Sequence, residues 1–140
     1  MEKLELYYEN KACDVFYNVH LHAVQTKWKG VFAFGDEFRN IMNKITDLLI
    51  EKKTHIIIAD ARNMKIIDPD DQAWILYNWY PRTTKAGFNF EALIVTKDSF
   101  NERSINQIVE YYDERKIQTV YFYSYEEAAK WIANTIGTTA

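Results

Sequence analysis

Along the first thirty residues apolar and polar positions alternate. Leu4, Leu6 and Tyr8 interleave with Glu5, Tyr7 and Glu9, and Cys13, Val15 and Tyr17 with Asp14, Phe16 and Asn18. This is the period of two expected of half-buried strands. Glu9-Asn10-Lys11 reads as the turn between them. One strand running on to Trp28 would exceed the usual length, so a second turn is placed near Asn18–His20 and a third strand over His22–Trp28. At Gly35 the period changes. Phe38, Ile41, Met42, Ile45, Leu48 and Leu49 predict a helix over Gly35–Lys53, with Asp36 and Glu37 at its positive end and Lys52 and Lys53 at its negative end. The run His55-Ile56-Ile57-Ile58-Ala59-Asp60 suits a central strand covered on both faces, as in parallel sheets.

Downstream, helix and strand alternate. A helix is expected over Pro69–Ala86, ended by Gly87, then a buried strand over Phe90-Glu91-Ala92-Leu93-Ile94-Val95. Ser99-x-x-Glu102 is a capping box opening a helix with Ile105, Ile108, Val109 and Tyr112 inward. Thr119–Tyr123 is the last strand. Ser124-x-x-Glu127 opens a final helix with Ala128, Trp131, Ile132 and Ile136 on one face. The order β-β-β-α-β-α-β-α-β-α predicts an α/β domain: a mixed β-sheet with antiparallel N-terminal strands and four α-helices.

Composition narrows the reading. At 140 residues and 16.6 kDa the chain fits a single domain, 1–140, with its own core. A net charge of −3 without a basic cluster argues against nucleic acid. No apolar run approaches the roughly 20 residues of a bilayer span, and the N-terminus lacks the regions of a signal peptide. One cysteine, Cys13, excludes an intrachain disulfide. A soluble cytoplasmic protein is the expectation.

Ile66-Ile67-Asp68-Pro69-Asp70-Asp71-Gln72-Ala73-Trp74 places three acids in four positions. Asp68 suits an N-cap and Pro69 the first helical position. Asp70 and Asp71 suit the first turn, where unpaired N–H groups attract negative charge. A helix start thus accounts for all of them.

The longer stretch from Ile56 to Asp71, Ile-Ile-Ile-Ala-Asp-Ala-Arg-Asn-Met-Lys-Ile-Ile-Asp-Pro-Asp-Asp, resembles the signature of STAS domains, the anti-sigma-factor antagonist fold. In that family a strand ending in Asp or Asn leads through a short loop to Asp-Ser-Ser-Gly at a helix start. Asp60 matches the strand-end residue and Asp68 the motif's Asp, and the element order also agrees. The segments Trp28-Lys29-Gly30, Asp60-Ala61-Arg62 and Asp70-Asp71-Gln72-Ala73-Trp74 look most like the SpoIIAA-like branch, related in fold to the Sec-14 lipid-binding domain. The resemblance implies a non-enzymatic protein–protein interaction or regulatory module. It also implies, alternatively, a binder of a lipid or other small apolar ligand. In signalling members the second serine is phosphorylated. Here Asp70 stands there, after Pro69 and before Asp71, so no hydroxyl is present and a fixed single charge replaces the roughly −1.5 to −2 of a phosphoserine.

Trp74, Tyr77, Trp79 and Tyr80 fall within seven residues and cannot share one face of a regular helix. Leu76, Tyr77 and Tyr80 share a stripe with Ala73, Ile75 and Trp79 form an adjacent one, and Trp74 falls to the side. Such a helix serves as core, as a pocket wall, or as a contact surface for a partner or a second copy of the chain. With Asp60, Arg62 and Arg82, the rings Trp74, Tyr77 and Trp79 make up the candidate partner or ligand surface. Arg62, Lys65, Arg82 and Lys85 flank the acids. Asp60–Lys65, Thr96–Asp98 and Ser124 are expected at the carboxyl ends of the strands, a rim suited to phosphate, a lipid headgroup or solvent. His20 and His22 with Cys13 fall short of a zinc set, Cys13 on a strand suggests a structural thiol, and no phosphate loop or nucleophile elbow is present. Neither a cofactor nor an enzyme activity is expected.

Overall fold

The computed structural model describes residues 3–96, 100–113 and 115–136. Six strands form one sheet: β1 Leu4–Glu9, β2 Cys13–Asn18, β3 Ala23–Trp28, β4 Ile56–Asp60, β5 Phe90–Ile94 and β6 Gln118–Phe122. Their order across the sheet is their order along the chain. β1, β2 and β3 pair antiparallel, and β3 to β6 run parallel. The helices are α1 Gly35–Lys52, α2 from Pro69 to Lys85, α3 Phe100–Val109 and α4 Tyr125–Thr135.

The winding decides which face each helix takes. Right-handed crossovers that always step the same way across a parallel sheet leave their helices on one face. Accordingly α1, α2 and α3 pack over Val24, Ile57, Ala59 and Leu93, whereas α4, which follows the last strand, folds against Ile56, Ile58, Phe90, Ala92 and Ile94 on the opposite face. β4 is therefore covered on both sides, as its β-branched run requires.

Several expectations shift locally. The second turn comes later than Asn18–His20: His22 ends it at φ 52 and β3 starts at Ala23. Leu6 is 53% exposed, because β1 is an edge strand whose register slips between Leu6 and Tyr8. Ile136 lies beyond the end of α4 and is 47% exposed. Ser124 accepts a hydrogen bond from the Glu127 amide at 3.2 Å, as its capping box predicts, whereas Ser99 and its capping box lie outside the described residues.

The second helix holds the largest departure. α-Helical turns at Pro69–Trp74 and Tyr80–Lys85 flank a π-helical turn at Ile75–Trp79. Pro81 supplies the physical reason. A proline inside a helix clashes with the carbonyl four residues back and leaves it unpaired, and one widened turn ahead of it relieves the clash. The Tyr80 amide then donates to the Ile75 carbonyl, which brings residue 80 back over residue 75. Ile75, Trp79, Tyr80 and Thr83 all face inward, so the stripe expected to join Tyr77 with Tyr80 is split.

Candidate functional site

Asp60 closes β4, and Arg62 folds back on it with a two-pronged ion pair at 2.9 and 2.8 Å. Asp68 caps α2 by accepting from the Asp70 amide at 3.1 Å, with Pro69 at the first helical position. Asp70 is exposed. Asp71 is not: it is 0% exposed and accepts from the Gly35 amide at 2.9 Å and from Arg39 Nε at 3.1 Å. A buried, paired carboxylate presents no charge to a partner, so within 68–71 the outward acids are Asp68 and Asp70. Gly30, at φ 80, brings its loop against the Asn63 carbonyl, so the segments 28–30 and 60–63 lie side by side.

The aromatic surface also divides. Trp79 is 1% exposed and donates from Nε1 to the Met42 carbonyl of α1 at 2.8 Å. Trp74 is half-buried under the Arg39 guanidinium, 5.4 Å from its ring centroid. Tyr77 alone of these rings faces outward, at 84%. Arg82 reaches Asn43 of α1 at 2.6 Å. Because α2 runs from the carboxyl edge of the sheet back toward the amino edge, Arg82 and Lys85 lie away from Asp60 and Asp68. Arg82 and Lys85 thus flank the acids in sequence only, and of the rim expected at the carboxyl ends of the strands residues 97 and 98 lie outside the described residues.

What the three helices and the sheet line is an apolar cavity of about 70 Å³, several times the roughly 10–15 Å³ that one water needs. Its floor is the sheet, at Thr26, Ile57, Ala59, Glu91 and Leu93. Phe38, Met42 and Ile45 of α1 and Ile75 and Trp79 of α2 form two walls. Ile105, Ile108 and Val109 of α3, with Tyr112 just after it, form the third. The widened turn of α2 is what aims Ile75 and Trp79 together into this space.

Glu91 is the exception in this lining. It is 9% exposed, and burial pushes its carboxyl up from 4.5 to about 7. No hydrogen bond to it forms among the described residues, and its parallel-strand neighbours are Ile57 and Thr119. The hydroxyls of Thr26 and Thr119, on the same face, are buried without partners among the described residues. The Tyr112 phenol is raised by burial and by Glu91, and its ring stacks on Tyr80 at 4.4 Å. Sequence reading passed over Glu91 and Thr26. The signal was a glutamate inside an otherwise apolar run read as buried on both faces. It also passed over Val31, Phe32 and Phe34, exposed together with Ile66.

Burial pushes the Cys13 thiol up, away from the reactive thiolate. His22 is held by the Tyr17 hydroxyl at 2.6 Å. Among the described residues no three His, Cys, Asp or Glu side chains are grouped to hold a metal ion, and no helix is long and apolar enough to cross a membrane. Comparison with protein-family models, curated proteins and solved structures yields no match, so the reading of this site rests on its own geometry.

Proposed function

We propose that this domain is a non-enzymatic, STAS-like binding module whose working part is the cavity between its sheet and helices α1, α2 and α3, and that it holds a small apolar ligand there. One observation carries the reading: an apolar hollow roomy enough for several waters, whose floor holds the unpartnered Thr26 hydroxyl and the Glu91 carboxyl. Native interiors are close-packed, and buried polar atoms without partners are few. Their coincidence in one hollow is what a ligand would explain. Kinship with STAS domains is supported by the meeting of segments 28–30 and 60–63 and by the Asp68 cap. The serine switch of signalling members has no counterpart here.

The test is a panel of small apolar probes, starting with butanol, followed by amide chemical shifts. Saturable shifts centred on Thr26, Ile57, Glu91 and Ile108 are the expected result. Shifts scattered over the surface, or none up to probe saturation, would sink the reading.

A protein contact is the second reading, favoured by Phe32 and Phe34, stacked on each other with centroids 5.5 Å apart and both exposed beside Val31 and Ile66. Light scattering during gel filtration of the native chain and of Phe34→Ser tests whether that patch joins two copies. A monomer in both cases removes self-association.

A further inference from the structure

The lining of the cavity specifies charge as well as shape. Among the described residues no lysine, arginine or histidine faces it, and the one ionisable carboxyl that does is Glu91. An anionic headgroup would therefore enter a space with no counter-charge and an acid on its floor, which Coulomb repulsion at low dielectric disfavours strongly. A cation meets the reverse. It finds a carboxylate without a partner, and in the same lining the ring systems of Trp28 at the end of β3 and Trp79 of α2, a residue type whose ring face attracts positive charge.

We propose that the ligand of this cavity is an apolar amine, bound with its alkyl or aryl part against Ile57, Leu93 and Ile108 and its ammonium paired with Glu91. This rests on the cavity-binding reading above and names the chemistry of its occupant. Thr26 sets a second polar point. Two strands across and two residues along from Glu91, it lies roughly 12 Å off by strand geometry, so a hydroxyl or carbonyl at the far end of the ligand meets its unpartnered Oγ1. Glu91 here is a binding residue; no bond is made or broken.

The titratable groups around Glu91 leave the pairing to Glu91 itself. α1 presents Phe38, Met42 and Ile45, α2 presents Ile75 and Trp79, and α3 presents Ile105, Ile108 and Val109. The ionisable neighbour is the Tyr112 phenol, which burial and Glu91 push up and which therefore keeps its proton near neutrality. An alkylamine stays protonated there as well, so the carboxyl is the group whose state changes.

The probes are butylamine, butanol and butyrate, equal in chain length and different in charge, titrated into the native protein under amide chemical-shift detection. Butylamine is expected to bind about tenfold more tightly than butanol at pH 8, the margin of a charge-assisted over a neutral hydrogen bond. Butyrate is expected to give no saturable shift. Butylamine affinity is expected to weaken about tenfold on going to about pH 6, as Glu91 takes up its proton, whereas butanol affinity does not. In Glu91→Gln, the amine loses its advantage and binds more weakly than the alcohol, because its charge has no partner there. The wild-type pH comparison stands even where that variant folds poorly. Butanol binding with no preference for the amine overturns the inference and leaves the cavity reading intact. Failure of all three probes removes both. Tighter binding of butyrate than of butylamine reverses the charge assignment outright.

Discussion

The carboxylate of Asp71, in the first turn of α2, caps the first amide of α1 at Gly35. α1 has no side-chain cap of its own, since Phe34 stands at its N-cap position. A residue 36 positions away takes that role and is held by Arg39 one turn into the same helix. One buried acid thus joins the beginnings of two helices that wall the cavity.

Asp71→Ala should therefore destabilise the protein by about 2–3 kcal/mol, combining a lost cap with a lost charged hydrogen bond, read as a lowered urea midpoint. Arg39→Ala should cost a comparable amount, because it strands a buried carboxylate. Asp70→Ala, at an exposed position in the same turn, should change stability by under about 0.5 kcal/mol. Equal effects at 70 and 71 would refute the assignment.

Glu91 makes stability fall as pH rises. Its folded-state carboxyl titrates near 7 against an ordinary value of 4.5, so over that window the folded chain holds a proton that the unfolded chain has released. The stabilisation is complete below about 4.5, declines through neutrality and is gone above about 7, a loss of roughly 3 kcal/mol. Glu91→Gln should remove that slope and leave the variant more stable than the native protein near pH 8. Parallel unfolding curves for the two proteins across the window would contradict it.

Gly87 adopts φ +113, and a Cβ there would stand 2.9 Å from His55 Nδ1, whose own hydrogen-bond partner is the Gly87 carbonyl at 2.8 Å. Gly87→Ala should lower the melting temperature through backbone strain and displacement of that ring, about 1–3 kcal/mol together. An unchanged melting temperature would show that the loop after α2 relaxes freely.

Cys13 should resist Ellman's reagent in the native protein and react with one equivalent in guanidinium. Its thiol is buried in the core and lifted by burial and by the neighbouring Asp14. Labelling of the folded chain at the rate of a free thiol would mean that the β2–β3 region opens readily.

The architecture was legible because its signals are periodic. The Phe38–Leu49 stripe, the Ile56–Ala59 run and the Ser124 cap each report a local preference that tertiary structure leaves in place. The α2 region was legible in extent and opaque in facing. Regular helical spacing ties Tyr77 to Tyr80, and only the widened turn imposed by Pro81 separates them. Asp71 read correctly as a first-turn acid, yet its partner lies on another helix, which no local pattern reveals. The cavity was the least legible feature. A void is a failure of side chains from β3, β4, β5 and three helices to fill one volume, and volumes do not sum along a sequence.

Strand order across the sheet equals strand order along the chain, with a consequence for how the molecule is made. A polypeptide leaving the ribosome amino end first adds each ribbon to the one just completed, and none has to wedge between two already joined. The hollow is the exception. It stays unroofed until positions 105–112 have cleared the exit tunnel, so a nascent chain closes that space only late in synthesis.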